Sequence, residues 1–322
     1  MPPFPKPDFS YSYDPQTEIQ KLRTWRDTEP GRQIPTKQND KMLLASWNIA
    51  NLGDEKQVRA QDDIEVMAEV LSWFDVVAIQ EVKEGLSDFR RLQAALPSGY
   101  AAVMSDQGGN NERMVFIHDT ARVDRLELAG EIAIPPSSHR YIRLPHSEQK
   151  FDGFDRNPFA VAFSCGNREF TIVNAHLYFG SDSTHSKNRR ALECYALGRW
   201  ADLRDKRGNA YSDNVVVIGD LNMPAAEPGD QMYDALTARG LHIPAHQSRI
   251  GTTITEGKHY DQLAFLPGDA GQSFIQEGVF DFDGALFSDL WDDPQRDESD
   301  FDAYLRFHIS DHRPIWAQFD VS

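Results

Sequence analysis

The sequence has 322 residues, with 33 Lys plus Arg against 50 Asp plus Glu, a net charge of −17. Apolar residues make up 40% and charged residues 26%, which fits a soluble globular chain and excludes collagen-like repeats and wholesale disorder. No apolar run approaches the roughly 18 residues that a bilayer span requires, so no membrane insertion is expected. The acidic balance also argues against a dedicated high-affinity nucleic-acid binder, whose affinity would rest on Lys and Arg. It leaves room for an enzyme that engages phosphate through a metal.

Residues 1–40 read as a polar, Pro-rich extension packed loosely on the rest, with one weak helical stretch near Glu18–Trp25. The first residues carry no apolar h-region, so the reading leans to the cytoplasm and otherwise leaves the compartment unknown. Leu43–Ile49 reads as a strand. Ile64, Met67, Leu71 and Phe74 recur at helical spacing. Asp75–Gln80, Met114–Ile117, Phe159–Phe163 and Phe170–Ala175 read as strands, and Asn188–Asp205 as a helix. Val215–Ile218, Tyr260–Phe265 and Ile315–Phe319 complete the strands. Many strands with few helices between them suggest large, mostly antiparallel sheets with helices outside. No linker divides the chain, so a single domain over residues 41–322 is expected, as a monomer. Cys165 and Cys194 are too few for a disulfide framework and read as buried free thiols.

Polar residues stand at the ends of several apolar strands. These are Asn48, Glu81, the pair Asp220 and Asn222, and Asp311-His312. Each alone reads as a turn or cap; four such strand ends together weaken that reading. If Glu81, Asp220 and Asp311 converge, mutual repulsion requires a cation or protonation. Oxygen ligands of this kind suit Mg²⁺ or Mn²⁺ rather than zinc. His176 follows the strand Phe170–Ala175, and both it and His312 are candidate proton-transfer groups. Glu112 and Asp261, each at the entrance to an apolar strand, are candidates to orient them.

The stretches WNIANLGDEK (47–56), VVAIQEVKE (76–84), FDRNP (154–158), NAHL (174–177), GDLN (219–222), YDQL (260–263) and SDHRPI (310–315) form an ordered series. The series resembles the endonuclease/exonuclease/phosphatase superfamily, and deoxyribonuclease I in particular, from about Leu43 to Phe319. The resemblance implies an α/β four-layer sandwich, two packed sheets flanked by helices, with the active site at one sheet edge. It implies a divalent-metal-dependent phosphodiester hydrolase, most simply a DNA endonuclease of low sequence specificity. Glu81 resembles the principal metal ligand, with Asn48, Asp311 and Asp220 close to the metal. Asp220 and Asn222 resemble the pair that positions the attacking water and the phosphate. His176, oriented by Glu112, resembles the general acid, and His312, oriented by Asp261, the general base. Arg156 resembles an arginine that grips phosphate, and Lys83 is a further candidate phosphate contact.

The stretch Gly109–Glu112 lacks the aromatic residue with which the secreted relative enters the DNA minor groove. A histidine at 176, where apurinic-site endonucleases carry tyrosine, points away from that specialisation. Lys258–Gln262 likewise departs from the inositol phosphatase pattern. A phosphatase or phosphodiesterase for a lipid headgroup, nucleotide or other small phosphoester is the alternative. Substrate contacts are expected from Lys187, Arg189 and Arg190, and from Arg140, Arg143 and Lys150 with Tyr141 and Phe151 interleaved. In Asp281–Asp302 nine acids face one Arg296. A solvated acidic loop is the simpler reading there, and a structural Ca²⁺ the other.

Overall fold

Alternating burial along one strand shows how the layers arise. Leu43, Ala45 and Trp47 pack against helices, while Met42 and Leu44 pack against a second sheet. The computed structural model describes residues 2–206, 211, 214–245, 248, 250–255 and 257–322. Its strands are β1 (Lys41–Leu52), β2 (Val76–Val82), β3 (Tyr100–Met104), β4 (Arg113–Asp119), β5 (Val123–Glu131), β6 (Phe159–Cys165), β7 (Arg168–His176), β8 (Val215–Asp220), β9 (Asp261–Phe265), β10 (Phe274–Val279) and β11 (Ile315–Asp320). Its helices are α1 (Pro15–Thr28), α2 (Gln61–Ser72), α3 (Ser87–Ala95), α4 (Pro136–His139), α5 (Thr184–Asp205), α6 (Gln231–Thr237), α7 (Asp269–Ser273), α8 (Ser288–Trp291) and α9 (Glu298–His308).

One sheet has the order β10-β11-β1-β2-β4-β3, the other β5-β6-β7-β8-β9. All pairings are antiparallel except β1–β2 and β7–β8. Each parallel pair needs a crossover, and α2 and α5 lie in those two connections. Residues such as Val76, Phe116, Phe163, Ile172 and Ile218 fill the space between the sheets. Helices α1, α2, α3, α8 and α9 cover the outer face of the first sheet, and α5 and α6 that of the second. The architecture is therefore an α/β sandwich of two mixed sheets flanked by helices, as the resemblance implied.

The segment before β1 is not loosely packed. Leu22 is fully buried, and Phe9, Tyr11 and Tyr13 pack into the first sheet's helical layer. Tyr11 and Tyr13 meet Phe287 and Tyr304 at ring distances of 4.8–5.8 Å, and the Tyr13 hydroxyl donates to Asp63 at 2.7 Å. The acidic run 281–302 is solvated in part, with Asp289, Asp292, Asp297 and Glu298 exposed, but it contains α8 and the start of α9 and is not simply a loop. Asp281 pairs with Arg32, Asp283 with Arg313 and Asp300 with Arg296, and among the described residues no three of its acids converge as a cation site. Cys165 and Cys194 are free and buried.

Candidate active site

The two parallel strand pairs end side by side, and their carboxyl ends carry the polar residues singled out above. β1 supplies Asn48, β2 Glu81, β7 His176 and β8 Asp220. Directly beneath them the sheets are tied by buried amides. Gln80 Nε2 donates to Asn174 Oδ1 at 2.7 Å and to Ser46 Oγ at 2.9 Å, and Asn174 Nδ2 reaches the Ile79 and Val115 carbonyls.

Backbone irregularities aim the side chains. Glu81 has φ +61°, and the ladders on both sides of β2 shift register around it. The kink brings its carboxylate to the Asn51 N–H, which donates at 3.1 Å, and to Asn48 Nδ2, which donates at 3.2 Å. Gly219 has φ +143°, and a Cβ there would lie 2.0 Å from the Ala175 carbonyl oxygen. Only glycine lets β8 approach β7 so closely just before Asp220. Asn222 follows at φ +53°; its N–H donates to Asp220 Oδ1 at 2.9 Å and its Nδ2 to the Leu177 carbonyl at 2.7 Å.

Asp220 is the hub. Its Oδ2 accepts from Asn48 Nδ2 at 3.0 Å and lies 3.5 Å from His176 Nε2 and 3.9 Å from His312 Nε2. Each histidine is held at its other nitrogen. His176 Nδ1 stands 3.0 Å from Glu112 Oε2, and His312 Nδ1 stands 2.7 Å from Asp261 Oδ2. All these groups are buried. Burial alone would raise the Asp220 carboxyl; His312 and then His176 overcome it and hold it below the usual carboxylate range. Burial also opposes an imidazolium at 312, but Asp261, Asp311 and Asp220 raise its pKa well above the ordinary imidazole value. Glu112 resists burial through His176, Arg156 and Lys83 and sits far below its usual range. Burial, reinforced by Glu81, pushes Asp311 up.

Two groups of side chains place acidic and imidazole ligand atoms within 4.8 Å of one another: Glu81, Glu112 and His176, and Asp220, Asp261 and His312. Beside them, Asn48 Oδ1 and Asp311 Oδ1 are buried with no hydrogen-bond partner among the described residues. Two buried acceptors beside the Glu81 carboxylate fit a hard cation such as Mg²⁺ or Mn²⁺. Glu81, Asn48 and Asp311, with Asp220 adjacent, could hold it.

Two expected phosphate contacts already have protein partners. Lys83 is buried and its ammonium donates to Glu112 Oε1 at 2.8 Å, so it braces Glu112 rather than facing substrate. Arg156 borders the cleft, but its Nε and Nη2 donate to the His176 and Leu177 carbonyls, both at 2.8 Å. Its Nη1 stands 3.5–3.6 Å from Asp155 and Glu112. Its fork is thus largely committed to the β7 end. Arg190 is buried, and Arg189 pairs with Asp155 at 3.0 Å and stacks over Tyr178, so little of the loop's positive charge remains for substrate.

The cleft above these groups has a volume of about 650 Å³. Its walls include Phe4, Tyr178, Phe179, Tyr260 and Arg306; the sequence reading had placed Phe179 at the start of a substrate-side loop and Tyr260 in the YDQL motif, and had not marked Phe4, Tyr178 or Arg306. They come from four separate parts of the chain, and no strand-end signal points to Phe4 or Arg306.

No family model and no curated protein matches the sequence. Solved structures do match. An endonuclease/exonuclease/phosphatase family protein from Bacteroides thetaiotaomicron matches with TM-score 0.54 and 17% identity over 87% of this chain and 94% of its own. A mannosyl-6-phosphatase from the same organism matches with TM-score 0.53 and 17% identity over 86% and 99%. D. rerio TDP2, complexed with a single-strand DNA product, matches with TM-score 0.53 and 14% identity over 87% and 99%. The protein thus has the fold of the endonuclease/exonuclease/phosphatase superfamily.

Proposed function

We propose that this protein is a divalent-metal-dependent phosphodiester hydrolase whose substrate is a nucleic-acid strand, DNA in the first place, cut internally with little sequence specificity. One observation carries the reading. Two histidines face the same Asp220 oxygen, each held from behind by its own buried carboxylate. A single such histidine is common in protein cores. A pair flanking one carboxylate supplies what phosphodiester hydrolysis needs on both sides of phosphorus.

In this reading Glu81, Asn48 and Asp311 would hold Mg²⁺ or Mn²⁺, which would supply charge neutralisation at the phosphoryl oxygens. Asp220 and Asn222 fix a water in line with the scissile bond. As the water oxygen bonds to phosphorus, its proton passes to neutral His312, whose imidazolium the cation would disfavour by offsetting the Asp311 and Asp220 charges that otherwise raise it, and Asp261 keeps that ring oriented. The bond to the leaving oxygen breaks, and His176 protonates the departing alkoxide while Glu112 fixes its tautomer. Lys83 and Arg156 act through Glu112 and the His176 carbonyl, as positioning residues.

The DNA assignment leans on the similarity to a structure that holds a single-strand DNA product. The second reading, a small phosphoester as substrate, is favoured by the aromatic walls of the cleft and by a mannosyl-6-phosphatase among the similar structures. Supercoiled plasmid incubated with Mg²⁺ or Mn²⁺, or with EDTA, beside a His176→Ala control, tests the first. Metal-dependent nicking lost in the variant is the expected result. A folded wild type that leaves plasmid intact but hydrolyses members of a small-phosphoester panel would replace it with the second.

A further inference from the structure

We propose that Arg306, backed by the ring of Phe4, forms an anion subsite for a second phosphate, the one adjacent to the scissile phosphate on a nucleotide strand. The inference rests on the phosphodiesterase reading and names a determinant of its substrate.

The cations near the catalytic groups are already engaged. Lys83 is paired with Glu112, Arg156 is bonded to two carbonyls, and Arg313 is paired with Asp283. Arg306 lines the same cleft, is half-buried, and makes no ion pair among the described residues. It lines the cleft together with Asp311 and His312, and it also feels Asp302 one turn earlier on α9. The Phe4 ring lies 6.0 Å from the Arg306 guanidinium carbon, within reach of a cation–π contact.

The arrangement is held from below. Gln57 is fully buried and uses both ends of its amide. Its Oε1 accepts from the Phe4 N–H at 2.9 Å, and its Nε2 donates to the Arg306 carbonyl at 2.9 Å. One side chain therefore staples the N-terminal segment to the last turns of α9. Asn51 adds a contact to the Pro2 carbonyl at 3.5 Å. A guanidinium without an ion pair among the described residues, on a fixed backbone, over an aromatic face and beside the catalytic acids, is suited to a phosphate that is bound but not cleaved. In the same cleft Phe179 is 40% exposed and forms an edge contact with Tyr260 at 5.9 Å. These faces suit the nucleoside that joins the two phosphates.

The test measures binding of thymidine 5′-monophosphate and thymidine 3′,5′-bisphosphate to the full chain by calorimetry with Mg²⁺ present. In parallel, p-nitrophenol release is followed from thymidine 5′-(p-nitrophenyl phosphate) with and without a 3′-phosphate. The wild type should bind the bisphosphate about tenfold more tightly, as a charge-assisted contact provides. Arg306→Gln should collapse that ratio to about one, and Phe4→Ala should lower it several-fold. Thermal melts confirm that both variants fold. A full ratio retained in Arg306→Gln would overturn the proposal. So would an equal loss for both ligands, which would place Arg306 on the scissile phosphate. Nitrophenol release with equal binding of the two nucleotides would sink the subsite and spare the phosphodiesterase. A wild type that neither binds nor hydrolyses would sink both.

Discussion

At the scale of single residues, Asp220 is the group on which the site converges. His176→Ala, His312→Ala and Asp220→Ala are each expected to reduce kcat by about 10²–10⁴-fold, the range for loss of a positioned proton-transfer group. Thermal melts should show that each variant folds, and near-native turnover in a folded variant would remove that residue from the mechanism. Arg156 makes a different prediction. Two of its nitrogens bond buried carbonyls at 2.8 Å. Arg156→Ala should therefore lower stability by about 2–4 kcal/mol as well as activity, since it leaves buried acceptors unpaired. Lysine should not restore it, because one ammonium cannot span both carbonyls. Urea melts decide the matter: an unchanged midpoint would return Arg156 to a purely substrate-facing role. The sequence marked Arg156 and Lys83 by type and neighbourhood. It could not show that a backbone carbonyl and a glutamate already engage them.

At the scale of elements, the strands that were legible are the buried ones. β1, β2, β4, β6, β7, β8, β9 and β11 are buried along most of their length, so they read as largely apolar runs. β3 and β5 are sheet edges, partly or alternately exposed, and β10 is an edge too. Polar positions hid β5 and β10, while β3 is apolar but short and only partly buried. The N-terminal segment was misread for a related reason. Its helix α1 buries only Glu18, Ile19 and Leu22, too thin a stripe to signal docking. The aromatics Phe9, Tyr11 and Tyr13 do the rest, and sequence periodicity does not weigh them. Leu22→Ala should cost about 2–5 kcal/mol, as for other fully buried leucines. A chemical melt unaffected by the change would show that the segment is a loose extension after all.

At the scale of the whole molecule, two linked equilibria should be visible in stability. The first is the metal. Mg²⁺ at about ten times its Kd should stabilise by about 1.4 kcal/mol, raising Tm by roughly 2–4 °C. Glu81→Gln should abolish the rise, and an undiminished rise would move the metal elsewhere. The second is proton binding at Glu277 on β10. The carboxyl is buried, its Oε1 lacks a partner among the described residues, and burial raises its pKa to about 8. A carboxyl raised in the folded state binds its proton more tightly there than in the unfolded chain. Its contribution to stability is full below the ordinary glutamate value and is lost as pH rises toward about 8. Glu277→Gln should match the wild type near pH 4–5 and exceed it increasingly up to pH 9. Parallel stability curves across that range would show that Glu277 is not the titrating group.

The sequence by itself determined the strand-rich α/β class and the set of polar strand ends. Both are local: burial imposes apolar runs, and a functional residue at a strand end interrupts one visibly. It also brought together, through the ordered motif series, the residues that the fold places around Asp220. What only the tertiary structure decided is which charges remain free once neighbours are in place. Lys83, Arg156 and Arg190 are cations like Arg306 in the sequence; in the fold the first three are held by hydrogen bonds or buried, and the last makes no ion pair among the described residues. The walls of the cleft were decided at the same level. Phe4 and Arg306 lie about as far apart in the chain as two residues can, and a buried glutamine, not any local pattern, holds them together.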